Sequence, residues 1–364
     1  MKHLMSHVAD RLLIGAAVLG IAMTSAMAQQ SETISEEELV NRAKQEGPVL
    51  IYSAVPPPQW VGIIEGMKEK YPWFNAEVIE LSNSEVFGRY RIESSSNSRS
   101  ADILASSNDS GWDSLAKANL TRPMEIELDE GYSNWLTPYP GVYTVSISAS
   151  VIAYNKLLVP EADWPTSVAD IAEVVRKDPD AYNKKIASYS VEGADGLDIF
   201  YAWVDKYDGD AWGVLKDLIP YAAEEMSAGA MLAKLISGEY KILYMTSGNS
   251  IRRSLSPTFN RVVGWALPAD GVPLRAFKAG VTADSQSPHA AELFVRYMTS
   301  LEGQTALPRN GGMSPVLGKG TDDGLYTSES IKEQFGESKL VLTGAPVGNP
   351  EAVEAFRARW KSLQ

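Results

Sequence analysis

The sequence contains no cysteine among its 364 residues and only 3 histidines. The absence of cysteine excludes a disulfide-stapled scaffold, and it removes the acceptor that a bacterial lipoprotein needs beside its cleavage site. Two of the histidines, His3 and His7, lie in the first 28 residues, which leaves His289 as the candidate for a histidine general base. His289 falls in the first turn of a predicted helix, where a structural role is the favoured interpretation.

Clusters of basic residues are also missing. The chain has 33 Lys and Arg against 46 Asp and Glu, a formal net charge of -13, and a sequence pI of about 4.9. Such a chain offers nucleic acid or an anionic membrane surface no general electrostatic attraction. We therefore expect no nucleic-acid partner.

The sequence lacks the common catalytic motifs. It contains no G-x-S-x-G, no H-E-x-x-H and no Walker loop. Residues 114–117 match S-x-x-K without the partner motifs that give this pattern its meaning, so a helix surface is favoured. Asp205, Asp208 and Asp210 resemble a calcium loop only loosely, and a polar turn between two helices is favoured there. The sequence therefore predicts no enzyme, no metal site and no cofactor.

An export signal is present at the N-terminus. Lys2 and Arg11 precede an uncharged apolar run over residues 12–23, and an A-M-A sequence ending at Ala28 has the small residues of a cleavage site. The run is too short to span a hydrocarbon core, which needs about 20 residues. We expect a signal peptide over residues 1–28, cleaved after Ala28, and a mature chain exported most simply to a bacterial periplasm.

The mature chain has the composition and patterning of an α/β protein. Its 45% hydrophobic and 22% charged content is typical of globular proteins, and its length favours two lobes with separate cores. Short apolar runs alternate with helical patterns, which predicts βαβ units and largely parallel sheets. In the first part of the chain, the predicted strands are 49–52, 76–81 and 101–105, and the predicted helices begin near Ser35, Gln59 and Ser84.

A second α/β series lies between two long extended segments, residues 143–154 and 275–283. This arrangement predicts one lobe inserted into another, with crossing strands between them. We expect the first lobe to comprise residues 29–147 and 281–313. The second is expected to comprise residues 148–280 and 314–364.

Small polar residues recur directly after the predicted strands, at the entrance to helices. The carboxyl edge of a parallel sheet is where open α/β proteins bind ligands, because hydroxyls and free helix N–H groups meet there. The alternative is that each of these residues only caps its own helix. The candidate ligand-binding residues are Ser53, Ser84, Ser107, Asn108, Ser148 on the first crossing segment, Gly193, Asp195, Thr246, Ser247 and Asn249.

The chain contains, in order, the segments VLIYS at 49–53, residues 89–93 followed by ADI at 101–103, VIAYN at 151–155, LFVRYMTS at 293–300 and SPV at 314–316. Together these segments resemble the family 1 extracellular solute-binding proteins of bacterial ABC importers, and most closely the branch that includes ferric-iron binders. The resemblance implies a two-lobed type II periplasmic-binding-protein fold that closes like a hinge on a small-molecule ligand. It also implies delivery of that ligand to the transmembrane subunits of an ABC permease.

The chain departs from the iron binders at a pair of adjacent positions. In those proteins, two adjacent tyrosines that ligate the metal stand a few residues beyond a Gly-Glu pair and a strand. Here Gly238 and Glu239 are present, but the matching positions are Gly248 and Asn249, followed by arginines. This departure from the family pattern shifts the expected ligand from ferric iron to an anion or a polar organic molecule.

Arg252 is the candidate for an anion contact. It follows the predicted strand and the small polar residues 246–249, where a helix N-terminus already favours negative charge. A guanidinium can bind a carboxylate or phosphate through two parallel hydrogen bonds. The alternative is that Arg252 and its neighbour Arg253 face water or pair with acidic residues.

We conclude from the sequence that the chain is a monomeric periplasmic solute-binding protein without a catalytic step. A periplasmic hydrolase or transferase is one alternative, and a ferric-iron binder is another. A binding protein that serves a membrane sensor, instead of a permease, would share the same sequence features.

Loading the purified protein with ferric iron is expected to produce no phenolate-to-iron charge-transfer band in the visible spectrum. The reason is that Gly248 and Asn249 occupy the positions of the two tyrosines. A band that grows with added iron and saturates at one ion per chain would show that iron is a ligand.

Overall fold

The computed structural model describes residues 34–96, 98–128, 132, 137–253, 257–318, 326–344 and 349–364, except for the side chains of Arg252 and Arg253. The predicted signal peptide lies outside the described residues. None of the described helices is long and apolar enough to cross a membrane.

Strands and helices alternate along most of the chain. The strands are β1 (Val49–Ser53), β2 (Ala76–Glu80), β3 (Ile103–Ser106), β4 (Val142–Asn155), β5 (Ile186–Tyr189), β6 (Ala222–Glu225), β7 (Ile242–Ser247), β8 (Val263–Ala266), β9 (Val272–Val281) and β10 (Leu340–Leu342). The helices are α1 (Glu36–Ala43), α2 (Val61–Lys70), α3 (Asn83–Ser95), α4 (Asp109–Lys117), α5 (Val168–Lys177), α6 (Pro179–Tyr182), α7 (Ala194–Leu218), α8 (Ala228–Ser237), α9 (Gly248–Arg253), α10 (Phe259–Val262), α11 (Pro288–Thr299), α12 (Leu301–Ala306), α13 (Ser328–Phe335) and α14 (Pro350–Lys361).

The strands form one continuous sheet in the order β2-β1-β3-β9-β4-β7-β5-β6, with β10 on β9 and β8 on β4. Parallel pairs lie toward both ends, β2-β1-β3 on one side and β7-β5-β6 on the other. The two long central strands, β4 and β9, pair antiparallel with each other. This is the predicted architecture of two α/β lobes joined by crossing strands.

Each lobe has its own apolar core. In the first lobe, adjacent residues of β1 point to opposite faces of the sheet. Ile51 packs in one cluster with Trp60 and Phe294, whereas Tyr52 packs in another cluster with Trp112. The second lobe has a single large cluster. The helices therefore cover both faces of the sheet, as parallel strands require.

Strand β9 passes from one core to the other between Leu274 and Phe277. Leu274 packs in the core of the second lobe, and Phe277 packs in the core of the first. The expected return to the first lobe at residue 281 stays a prediction. Residues 278–280 pair with both β3 and β4, and Phe277, Ala279 and Val281 pack in the core of the first lobe.

Helix caps match several sequence signals and correct one of them. Ser35 and Ser167 cap α1 and α5 as their patterns predict. The α3 helix, however, is capped by Ser82 in a capping box with Glu85, two residues before the predicted Ser84. The expected polar turn at Asp208 is a kink inside α7, where this residue has non-helical backbone angles, φ 36° and ψ -109°.

The buried side-chain amide of Gln304 joins the lobes at a third crossing of the chain. Its nitrogen donates to the carbonyls of Val145 (2.9 Å) and Met298 (2.6 Å), and its oxygen accepts from the N–H groups of Val316 and Leu317. The Gln304 residue is only 1% exposed. These four bonds fix the segment that leads out of the first lobe.

Replacing Gln304 with Leu should lower the free energy of unfolding by about 3 kcal/mol or more, because buried backbone groups lose their partners while the side-chain volume is nearly kept. Urea denaturation measures the change. The matched control is Thr305→Val on the same helix, where an exposed hydroxyl donates to the Leu301 carbonyl; its effect should stay within about 0.5 kcal/mol. Equal stability of the two variants would contradict this role of Gln304.

Candidate functional site

A cleft of about 610 Å³ lies between the lobes. The crossing strands β4 and β9 contribute Ser146, Ser148, Arg275 and Phe277 to its surface. One wall comes from the first lobe and includes Val55, Gln59, Glu80, Asn83, Ser107 and Met313. The other comes from the second lobe and includes Tyr189, Asp195, Met226, Ser227, Leu232, Ser247 and Asn249.

Local geometry explains why polar groups collect on the first wall. Strands β1, β2 and β3 run parallel, so their carboxyl ends meet at one edge. At this edge the Asn83 side-chain oxygen accepts hydrogen bonds from the Ser106 hydroxyl (2.7 Å), the Ser107 N–H (3.1 Å) and the Ser107 hydroxyl (3.2 Å). Because the Ser107 hydroxyl donates to Asn83, its oxygen lone pairs remain to accept a hydrogen bond from a ligand.

On the second wall, the start of helix α8 presents backbone donors to the cleft. Ser227 caps this helix, its hydroxyl accepting from the Ala230 N–H (3.4 Å). Ala228 and Gly229, the first two helical residues, also line the cleft. The first N–H groups of a helix have no intrahelical acceptor, so they can bind an electronegative group.

Asn249 connects the cleft surface to the crossing segments. Its side-chain oxygen accepts from the Ser314 hydroxyl at 2.6 Å, and its nitrogen donates to the Ile147 carbonyl at 3.5 Å. The Ser146 hydroxyl donates to the Ser314 carbonyl at 2.7 Å. A residue that lines the cleft thus also holds two of the three chain segments that pass between the lobes, β4 and the segment at Ser314.

The charged part of the cleft is an ion pair between Arg275 on β9 and Asp195 at the start of α7. The Arg275 Nη1 lies 2.8 Å from the Asp195 Oδ1, and the two side chains are 18% and 32% exposed. Burial alone lowers the pKa of Arg275, but the nearby acidic groups, Asp195 foremost, raise it overall. The guanidinium also lies 6.0 Å from the centre of the Tyr189 ring. Arg275 is therefore a permanent cation held in place on the cleft surface.

The structure places five of the eleven sequence-predicted site residues at the cleft. In the register of β4 and β9, Ser148 lies beside Arg275, which places a hydroxyl next to the guanidinium. The predicted residues that line the cleft are Ser107, Ser148, Asp195, Ser247 and Asn249.

Five other predicted residues do not line the cleft, and the capping alternative accounts for Asn108 and Gly193. Ser53 is fully buried and accepts from the Trp60 indole at 3.0 Å, Asn108 caps α4, and Gly193 is the N-cap residue of α7. Ser84 is exposed beside Asn83, which faces the cleft in its place.

Thr246 is buried for a different reason. Adjacent residues of a strand point to opposite faces, and Ser247 takes the position facing the cleft. Thr246 is only 1% exposed. Nearby, Met245 has a left-handed backbone (φ 53°), and the pairing of β4 with β7 is irregular between Val151 and Ala153. Such an irregularity changes which side chains reach a surface, and the sequence does not show it.

The Arg252 side chain is outside the part of the chain that the structure describes. The backbone of its helix α9 begins with Gly248 and Asn249, directly after the cleft-lining Ser247. A contact between Arg252 and an anion therefore stays a prediction.

Sequence reasoning missed several residues that line the cleft, including Asn83, Ser146, Tyr189, Ser227 and Arg275. One of them carried a usable signal. Arg275 is a charged residue in a predicted crossing segment, where most neighbours are apolar or small. Tyr189 and Ser227 have no comparable signature, because only the folded chain places them beside the cleft.

The described cleft residues do not form a cluster of metal-ligating carboxylates or imidazoles. Within the described ranges, no group of three or more His, Cys, Asp or Glu residues is arranged to hold a metal ion. The cleft lining includes the phenol of Tyr189, and burial raises the pKa of this group, which disfavours the phenolate. His289 is engaged elsewhere, with its Nδ1 at 2.6 Å from the Glu46 carboxylate.

Two lobes that enclose a polar cleft on crossing strands define a class of ligand-binding protein. The model of the family described as bacterial extracellular solute-binding protein matches residues 55–305. The chain belongs to this family. No curated protein matches its sequence.

Solved structures share the fold at low sequence identity. The substrate binding protein of an ABC transporter from Agrobacterium tumefaciens is similar with a TM-score of 0.73 and 18% identity, over 87% of this chain and 94% of that one. Iron-bound HitA from Pseudomonas aeruginosa has a TM-score of 0.63 and 18% identity, over 87% and 99%. AfuA from Actinobacillus pleuropneumoniae, with fructose-6-phosphate bound, has a TM-score of 0.61 and 13% identity, over 86% and 99%. At these identities the likeness concerns the fold.

We expect Gly248 to be required for the position of helix α9, which starts at the cleft. A Cβ atom at this position would lie 2.8 Å from the Ala149 carbonyl oxygen and 3.1 Å from the Val151 side chain. Gly248→Ala should therefore displace α9 and lower the free energy of unfolding by about 1–3 kcal/mol. Thermal or urea denaturation tests this.

Gly229→Ala is the matched control, since its Cβ would meet only the Ser227 hydroxyl at 3.6 Å, an ordinary contact. This variant should be as stable as the parent protein or slightly more stable. If both glycine variants retain parental stability, the close approach at Gly248 does not constrain α9.

Proposed function

We propose that the chain is exported to the periplasm, where it captures a small polar organic molecule between its lobes and delivers it to an ABC permease. The observation that carries this proposal is the cleft itself. Its volume of about 610 Å³ lies within the range of sites for small organic molecules, roughly 300–1,000 Å³. Its surface combines hydroxyl and amide groups with a single ion pair.

The lining suits a ligand that is part polar and part apolar. Hydroxyl and amide groups come from both walls, as from Ser107 and Asn249, and they can bind hydroxyl, carbonyl or carboxylate groups. Phe277, Met313 and Leu232 add an apolar surface. AfuA holds a sugar phosphate within the same fold, which supports an organic ligand here without identifying it.

No catalytic step is part of the proposal. The family consists of transport binding proteins. His289, the histidine of the mature chain, lies at the start of α11. It is hydrogen-bonded to Glu46, and it does not line the cleft. The serine hydroxyls of the cleft thus have no histidine base beside them, which disfavours the hydrolase alternative.

The remaining parts of the proposal come from the sequence. They are a signal peptide cleaved after Ala28, a monomeric mature protein, and no nucleic-acid partner. A membrane sensor as the recipient of the ligand would leave the cleft chemistry unchanged. Co-purification with either membrane protein separates the two recipients.

The first experiment is native mass spectrometry of protein purified gently from its own export compartment. A co-purified small molecule identifies the ligand, and the intact mass reports whether cleavage occurs after Ala28. We expect one ligand per chain, because one cleft lies between the two lobes.

Small-angle scattering then tests closure. Saturation with the identified ligand should reduce the radius of gyration, because the walls approach each other across the cleft. Protein stripped of ligand by unfolding and refolding serves as the open reference. Identical profiles with and without a ligand that binds by calorimetry would contradict hinge closure.

A further inference from the structure

The ion pair of Arg275 and Asp195 restricts the charge of the ligand. Both residues line the cleft, and their charged atoms lie 2.8 Å apart. A ligand group close enough to bind one of them is therefore also close to the other. At such distances Coulomb energies between unit charges are large in a site that closure shields from water.

The wall of the first lobe adds a negative charge. Glu80 lies at the end of β2, is exposed, and lines the cleft. Together with Arg275 and Asp195, it gives the described cleft lining one net negative charge. The whole chain carries a formal net charge of -13. Neither the described lining nor the chain as a whole attracts a polyanion.

The guanidinium nevertheless has donors beyond those used by Asp195. Nη1 donates to Asp195 at 2.8 Å, and a guanidinium carries further N–H donors on its two Nη atoms. Ser148 lies beside Arg275 in the strand register and offers a hydroxyl. These groups suit a single carboxylate, which accepts several hydrogen bonds at once.

A ligand with only one kind of charge leaves part of this arrangement unsatisfied. A pure anion gains Arg275 but is repelled by Asp195, and a pure cation gains Asp195 but is repelled by Arg275. A molecule that carries both charges a few atoms apart satisfies both side chains, and its positive group also faces Glu80 across the cleft.

We propose that the ligand is a small zwitterion, whose carboxylate binds Arg275 and whose ammonium group binds Asp195. This inference rests on the proposed function and specifies the substrate class of the same cleft. Phe277 and Leu232 would contact its apolar part.

The test uses the purified mature chain and four pools of probes in calorimetric and thermal-stabilisation assays. The pools are free amino acids, their C-terminal amides, their N-acetyl derivatives, and inorganic phosphate. Amides lack the negative charge, and N-acetyl derivatives lack the positive one. A member of the free amino acid pool should bind at least about tenfold more tightly than its amide and its N-acetyl derivative.

Two variants should change this preference in opposite directions. Asp195→Asn removes the partner of the ammonium group, so the N-acetyl derivative should bind as well as the free amino acid. Arg275→Gln removes the partner of the carboxylate, so the amide should bind as well as the free amino acid. If Arg275→Gln does not fold, the wild-type and Asp195→Asn preferences decide the matter.

Lys278→Gln is the matched control. Lys278 lies three residues beyond Arg275 on the same strand and pairs with Asp109 at the same distance, 2.8 Å, but it does not line the cleft. This variant should lose stability and keep the charge preference of the parent protein. A shift of preference in Lys278→Gln would show that the effect comes from loss of structure.

The zwitterion inference is overturned if an amide, an N-acetyl derivative or phosphate binds as tightly as the free amino acids, or if none of the four pools binds. Native mass spectrometry separates this failure from failure of the proposed function. A co-purified ligand of another charge class leaves the solute-binding function standing, whereas a chain that closes on no small molecule contradicts both.

Discussion

The antiparallel pairing of β4 with β9 is the interaction on which the rest of the molecule depends. The two strands pair from Val142 and Gly280 in the first lobe to Ala149 and Leu274 in the second, with a register shift between Thr144 and Ser146. Because their hydrogen bonds continue through the region between the lobes, the cleft is backed by an ordered sheet. The proposed closure would bend or twist these strands near the side chains that they place in the cleft.

The general fold could be predicted from the sequence because its signals are local. Apolar runs such as 49–52 identify strands, since a strand covered on both faces by helices is continuously hydrophobic. Capping patterns at Ser35 and Ser167 locate helix starts, since the cap uses residues three apart. The capping residue of α3 was misplaced because Ser82 and Ser84 both precede Glu85 closely, and only Ser82 has the spacing of a capping box.

The candidate site was predicted only in part, because facing the cleft is not a local property. Ser247 lines the cleft and Thr246 does not, although both follow the same pattern, and an irregular pairing with β4 accompanies the difference. The ion pair of Asp195 with Arg275 joins residues 80 positions apart in the chain. No short motif records such a pairing, so Arg275 appears in the sequence only as one of two charged residues in a crossing strand.

The crossings of the chain also determine the order in which the cores are completed. The core of the first lobe includes residues from Leu39 to Met313, and the core of the second includes Ile147 and extends to Trp360 in α14. Trp360 donates to the Glu224 carboxylate at 2.7 Å, so the last helix is tied to β6, which is synthesised much earlier. Neither core is encoded by a contiguous piece of the sequence. When the chain emerges N-terminus first, the part of the sheet in the second lobe therefore stays uncovered by α14 until after the segment that completes the first lobe has emerged.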